Sequence, residues 1–190
     1  MHFLEQKGVG AIAPYMTGDV IAGRPKHLIH DLMIANFQAC LTLALREIPE
    51  TELEALHFKK LNYDGKHIVP DRLFIVGHRN EESVFAFEAN FQLRLEPFLM
   101  KMRRYWKYAV EYRGQKEDLG FEGLRVLTVA KTETKSENLR WKCKEADPDQ
   151  RGSSLFLFTS ESRYNIERTG AILGPIWRTP KDESWHSLLE

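Results

Sequence analysis

Regularly spaced apolar positions predict three helices along the chain. Between residues 26 and 46 an apolar residue recurs at every fourth position, which is typical of one buried helical face. This stripe consists of Ile29, Met33, Phe37 and Leu41, widened by Leu28, Leu32 and Leu45. A similar stripe predicts a helix over residues 95–113, and a third, more exposed helix is expected over residues 132–144 with Leu139 as its apolar anchor.

Runs rich in β-branched and aromatic residues predict the strands. Runs 70–76 and 83–91 flank a polar turn, so we expect a β-hairpin there. A strand is expected to begin near Leu56 and to end at a turn over 62–65. The apolar runs 124–130 and 154–159 are typical of strands buried on both faces. The order helix, three strands, helix, strand, helix, strand predicts an α/β fold, a mixed sheet flanked by helices.

Composition narrows the class of protein. The chain has 190 residues, enough for a single domain, and its 27 basic and 27 acidic residues balance. A neutral chain is not a strong general nucleic-acid binder, although a local basic patch stays open. The first residues carry no secretory signal, and no apolar run approaches the roughly 20 residues of a membrane span. We therefore expect a cytoplasmic protein without a membrane segment, whose isolated Cys40 and Cys143 are reduced and bind no zinc.

The predicted hairpin contains the candidate site. If its turn is centred between residues 79 and 80, Asp71 lies opposite Glu88, with Cβ atoms about 5 Å apart on one face. Two carboxylates that close repel each other, and a divalent cation is the usual compensation. Side-chain alternation directs Asn90 to the same face as Glu88, while Phe85 and Phe87 point to the core. Alternatively, Asp71 caps a turn and Glu88 lies at a solvated strand end.

The order of short motifs resembles the PD-(D/E)xK nuclease-like superfamily. Within it, the chain resembles most the replication-relaxation family of plasmid and mobile-element proteins. The resemblance covers residues 26–190 and leaves residues 1–25 as an N-terminal extension similar to the last stretch of a winged-helix domain. The matching residues are His27-Leu28, Pro70-Asp71, Glu88, Lys101 with Tyr105, and Gly174-Pro175-Ile176-Trp177.

The resemblance implies a restriction-endonuclease-like fold and a DNA nuclease or nickase that depends on Mg²⁺ or Mn²⁺. Asp71 and Glu88 would be its catalytic metal ligands. The chain departs from the pattern at Asn90, where the superfamily carries Lys and the replication-relaxation family Asp. Lys101 on the following helix could supply the missing positive charge, or it is an ordinary solvated lysine. Asp31 could add a third acid, or complement its helix dipole.

A catalytically inactive module that binds DNA or a protein partner is the alternative function, and Asn90 together with the neutral charge favours it. For either function, basic and aromatic residues on the second predicted helix indicate contact with nucleic acid. This group consists of Arg94, Arg103, Arg104, Tyr105 and Lys107. A solvated helix face would show the same pattern. His27 and His30 have a spacing that can chelate a metal, which is a weak signal, and Trp177 is expected to be a packing anchor.

Overall fold

The computed structural model describes residues 25–56, 59–79, 81–90, 95–110, 124–147 and 151–189. Within these residues the protein is a mixed α/β domain with a seven-stranded mixed sheet and three α-helices. The helices are α1 (Pro25–Arg46), α2 (Leu95–Val110) and α3 (Glu133–Glu145). The strands are β1 (Thr51–Leu56), β2 (Leu61–Tyr63), β3 (Lys66–Ile68), β4 (Arg72–His78), β5 (Glu81–Asn90), β6 (Arg125–Ala130), β7 (Phe156–Ser160), β8 (Trp177–Arg178) and β9 (Trp185–His186).

The main sheet has the order β1-β4-β5-β6-β7-β8-β9, and β2 and β3 form a separate hairpin. Strands β5, β6 and β7 are parallel, so their carboxyl ends share one edge of the sheet. Strand β4 is antiparallel to β5 and begins at that same edge. Arg72 pairs with Phe87 and His78 pairs with Glu81, which confirms the predicted hairpin register.

Two apolar cores lie on opposite faces of this sheet. On one face, Phe37 of α1 stacks on Phe87 of β5 with ring centroids 4.2 Å apart. Trp177 is fully buried in the same core, where its indole N–H donates to the carbonyl of Ile172, and its role as a packing anchor is confirmed. On the other face, α2 and α3 pack over β5, β6 and β7. Both faces of β5 are therefore buried, and its carboxyl end lies between two layers of helices.

Helix α1 departs from the predicted pattern on its outer side. Leu28 is 44% exposed and Leu32 is 57% exposed, so they do not widen the buried stripe as expected. No apolar run that approaches a membrane span was expected from the sequence, but Leu28–Arg46, with 19 residues and a mean hydropathy of 1.5, could cross a membrane by length and composition alone. The opposite side of the helix packs in the core through Met33, Phe37 and Leu41, as the core helix of a folded domain does.

Strand β1 and the β2–β3 hairpin differ from the prediction of one strand beginning near Leu56. Strand β1 is an edge strand of alternating half-buried and exposed residues, including Glu52 and Glu54, so it lacks a strong apolar signal. The hairpin turns at Asp64 and Gly65, which both have positive φ angles, +47° and +66°. Backbone with positive φ favours Gly, Asn and Asp, so the turn could be predicted from its residues. The two strands that it joins have only three residues each, and they were not predicted.

Helix α3 was predicted to be an exposed helix, but it carries a fully buried arginine, Arg140. The Arg140 guanidinium donates through Nη1 to the carbonyls of Thr179 and Asp182, and through Nη2 to both carboxylate oxygens of Glu183. These contacts tie the C-terminal segment to α3. A cation is tolerated there because the hydrogen bonds compensate for its loss of water.

Candidate functional site

The candidate site lies at the carboxyl end of β5, where the paired strand β4 begins. Asp71 immediately precedes β4, and its backbone N–H donates to the carbonyl of Phe87 at 3.1 Å. Asp71 is thus held beside Glu88 by the register of the hairpin, although it lies just outside the ladder. The alternation of side chains along β4 therefore does not determine to which face of the sheet the Asp71 side chain points.

Glu88 is almost closed off from solvent, with 7% of its surface exposed. Lys101 Nζ donates to one carboxylate oxygen at 2.6 Å, and the Tyr105 hydroxyl donates to the other at 2.6 Å. Both donors project from α2, one helical turn apart, so the helix presents them together. Burial raises the pKa of Glu88 to about 7, the charge of Asp71 adds to the rise, and Lys101 opposes it. At neutral pH this carboxyl group can hold or release a proton.

The partners of Asp71 lie in β5 and on α1, whereas the partners of Glu88 lie on α2, on the opposite face of the sheet. The expectation that both side chains point to one face is therefore not confirmed. Asp71 Oδ2 accepts a hydrogen bond from the backbone N–H of Ala89 at 2.8 Å and lies 3.0 Å from Nε2 of His30 on α1. No hydrogen bond from the described part of the chain reaches the second oxygen, Oδ1. The hydrogen bond to Asp71 also raises the pKa of His30. One oxygen of Asp71 is therefore fixed, and the other is left to bind something else.

Asn90 lies two residues beyond Glu88 and contributes an unpartnered acceptor. Among the described residues, nothing hydrogen-bonds to its Oδ1, although this atom is buried. An unpaired buried amide oxygen is costly, which is consistent with a missing cation or water. Carboxylate and amide oxygens are the ligands that hard divalent cations prefer. The Oδ1 atoms of Asp71 and Asn90 are of the chemical type that Mg²⁺ or Mn²⁺ binds, whereas both oxygens of Glu88 already accept hydrogen bonds. The described residues contain no group of three or more His, Cys, Asp and Glu residues that could hold a metal.

A cleft beside the candidate site gives access to Lys101. It has a volume of about 410 Å³ and lies between the β2–β3 hairpin and the first half of α2. Lys101 and Arg104 line it, together with the exposed apolar side chains of Val69 and Met100. Among its lining residues, Lys101 connects the cleft to the candidate site, because its Nζ donates to Glu88. Glu96 also lines the cleft and offsets part of the positive charge. Lys101 and Arg104 suit a phosphate group, and the apolar walls suit a base.

The predicted nucleic-acid contacts on α2 fall into separate groups. Arg103, Arg104 and Lys107 are exposed on the helix, as a nucleic-acid contact requires. Tyr105 does not belong with them, because it is fully buried and its hydroxyl donates to Glu88. A fully buried side chain cannot make the predicted contact with nucleic acid, and Tyr105 belongs to the candidate site instead. Arg94 lies outside the described residues.

Three residues near the start of α1, Asp31, His27 and His30, differ in their relation to the candidate site. The Asp31 side chain is 73% exposed, and its contact within the described residues is with His30 at 3.5 Å, so the structure does not bring it to the carboxylates. The side chain of His27 lies outside the described part of the chain. The position of His30 beside Asp71 was not predicted, since 41 residues separate them and their spacing in sequence carries no signal. Only the packing of α1 on the sheet brings them together.

The fold and the site define a mixed α/β protein with a cluster of carboxylate, amide and ammonium groups at one edge of its sheet. Comparison of the chain with protein-family models, with curated proteins and with solved structures finds no match.

Proposed function

We propose that this protein is a divalent-metal-dependent DNA nuclease or nickase built on the restriction-endonuclease-like plan, acting in the DNA processing of a plasmid or mobile element. One observation carries the proposal: Lys101 Nζ lies 2.6 Å from Glu88 Oε2. The PD-(D/E)xK plan needs a lysine beside its second acid, and Asn90 occupies the usual place of that lysine. Lys101 brings an ammonium group to the same carboxylate from the adjacent helix.

Each residue at the site would then have a separate task. A bound divalent cation would activate a water molecule and offset the charge on the phosphate. Asp71 and Glu88 would hold the cation through carboxylate oxygens, with the amide oxygen of Asn90 as a further ligand. Lys101 would place a positive charge beside the scissile phosphate. Tyr105 would fix the Glu88 carboxylate and keep α2 in register with β5.

The cleft between the β2–β3 hairpin and α2 supports a nucleic-acid substrate. Arg104 lines it beside Lys101, and Arg103 and Lys107 extend the basic surface along the helix. Because the protein is neutral overall, this local concentration of cations is the feature that would attract a phosphate backbone. The substrate would run along α2 with its scissile bond near Glu88.

An inactive nuclease-fold module that binds DNA or a protein partner is the second candidate function. The state of Glu88 favours it, because both of its carboxylate oxygens already have donors, Lys101 and Tyr105. A cation at Glu88 would have to compete with the ammonium group for Oε2. This module would keep the α2 surface for binding and use the Lys101–Glu88 ion pair only to stabilise the fold.

Titration calorimetry with Mn²⁺, combined with cleavage of supercoiled plasmid DNA, separates the two functions. The nuclease proposal requires wild-type protein to bind Mn²⁺ and to cut DNA only when the metal is present. Asp71→Asn should lose both properties, because an amide cannot replace a carboxylate charge. Asp64→Asn is the matched control, since it makes the same change in the exposed β2–β3 turn. A wild-type protein that binds DNA, binds no Mn²⁺ and cuts nothing would support the inactive module.

A further inference from the structure

His30 and Asp71 form a link between two parts of the fold that are distant in sequence. His30 lies near the start of α1, and Asp71 lies at the edge of the sheet where β4 begins. His30 Nε2 is 3.0 Å from Asp71 Oδ2, and the side chains are 31% and 20% exposed. The contact is therefore partly shielded from water, and it is stronger than a hydrogen bond between fully solvated groups.

The two donors at Asp71 converge on a single oxygen. His30 Nε2 and the backbone N–H of Ala89 both reach Oδ2, at 3.0 Å and 2.8 Å. The terminal torsion of an aspartate side chain has broad energy wells, so the carboxylate would otherwise rotate easily. The Ala89 N–H is fixed by β5, and the imidazole is fixed by α1, which together define the plane of the carboxylate. A neutral imidazole with its proton on Nε2 is sufficient for this task.

We propose that His30 is a positioning residue, which holds Asp71 Oδ2 so that Oδ1 is presented to the divalent cation. This inference rests on the proposed function, because the cation is part of that function. Partners of this kind orient carboxylate ligands, and their removal typically weakens metal binding by roughly 10- to 100-fold. His30 would act through Asp71 and make no contact with the cation or the substrate.

Two variants separate positioning from ligation. His30→Ala removes the donor, and His30→Gln keeps an N–H at a similar distance from the backbone. We expect Mn²⁺ affinity to fall by roughly 10- to 100-fold in His30→Ala and to recover most of this decrease in His30→Gln. His186→Ala is the matched control, because His186 Nε2 is paired with Asp182 at 2.8 Å and is 32% exposed, on the outermost strand β9. It should leave Mn²⁺ affinity unchanged.

A second measurement tests the positioning role without metal. In a ¹H–¹⁵N correlation spectrum of metal-free protein, the Ala89 amide resonance reports its hydrogen bond to Asp71. It should move in His30→Ala, stay near its wild-type position in His30→Gln, and stay unmoved in His186→Ala. The inference is overturned if the resonance does not move in His30→Ala, or if His30→Gln binds Mn²⁺ as weakly as His30→Ala. Wild-type protein that binds no Mn²⁺ would instead contradict the proposed function, while the Ala89 resonance would still decide the role of His30.

Discussion

Lys101 and Glu88 form an ion pair of 2.6 Å that joins α2 to β5, although 13 residues separate them in sequence. The Lys101 side chain is 28% exposed and lines the cleft beside α2, whereas the Glu88 side chain is 9% exposed. This position allows Lys101 to face a substrate while it neutralises a buried acid.

Replacement of Lys101 by Ala should abolish DNA cleavage and leave the fold intact. Removal of one charge that stabilises a transition state typically costs roughly 100-fold or more in rate. The protein should remain folded because Glu88 can take up a proton when its cationic partner is removed. Plasmid cleavage with Mn²⁺ measures the rate, and circular dichroism measures the fold. Lys135→Ala on α3 is the control, and full cleavage by Lys101→Ala would show that this lysine is not the replacement.

The buried acid should destabilise the metal-free protein as the pH rises. Burial raises the pKa of Glu88 from 4.5 to about 7, so between these values the folded protein binds more protons than the unfolded chain. Stability contributed by this group is therefore present below pH 4.5 and is lost as the pH rises to 7. One pKa unit corresponds to about 1.4 kcal/mol, so the decrease in stability is on the order of 3 kcal/mol.

Glu88→Gln removes this titration, so it should gain stability relative to wild type as the pH rises from 5 to 8. Because about 1 kcal/mol shifts the Tm of a protein of this size by roughly 2–4 °C, the change is measurable by thermal unfolding without metal. Glu82→Gln, at an exposed position on the same strand, should show no such trend. A difference in Tm between Glu88→Gln and wild type that is the same at pH 5 and pH 8 would contradict the raised pKa.

The exposed cations of α2 should give DNA binding a strong dependence on salt, whether or not the site is catalytic. The slope of log affinity against log salt is negative, and it becomes less steep by roughly 0.9 for each phosphate of duplex DNA that a variant no longer neutralises. The triple variant Arg103→Ala/Arg104→Ala/Lys107→Ala should therefore show a flatter slope by fluorescence anisotropy. The matched variant Lys135→Ala/Lys142→Ala/Lys144→Ala removes the same charge from α3. Equal slopes for both variants and wild type, or no DNA affinity at low salt, would favour a protein-interaction module.

Local pattern was sufficient to predict most of the elements. The four-residue repeat from Ile29 to Leu41 predicted α1, and the turn chemistry around Arg79 predicted the β4–β5 register. Hydrophobic periodicity and turn preferences are properties of neighbouring residues, so they can be detected in the sequence itself. The same signals failed at β1, which pairs with β4 about 20 residues further along, and at β8 and β9, which pair with each other but have only two residues each and so show no periodicity.

The candidate site, like the fold, could be predicted only in part from the sequence. Hairpin register, a local feature, predicted that Asp71 lies beside Glu88, whereas Lys101 became a candidate only through the family resemblance. Only the tertiary structure brought His30 to Asp71 and turned Tyr105 inward to Glu88. Both contacts depend on how α1 and α2 pack on the two faces of the sheet, and that packing is determined by the whole apolar core. Burial also set the pKa of Glu88, since desolvation exists only after the chain has folded around the carboxylate.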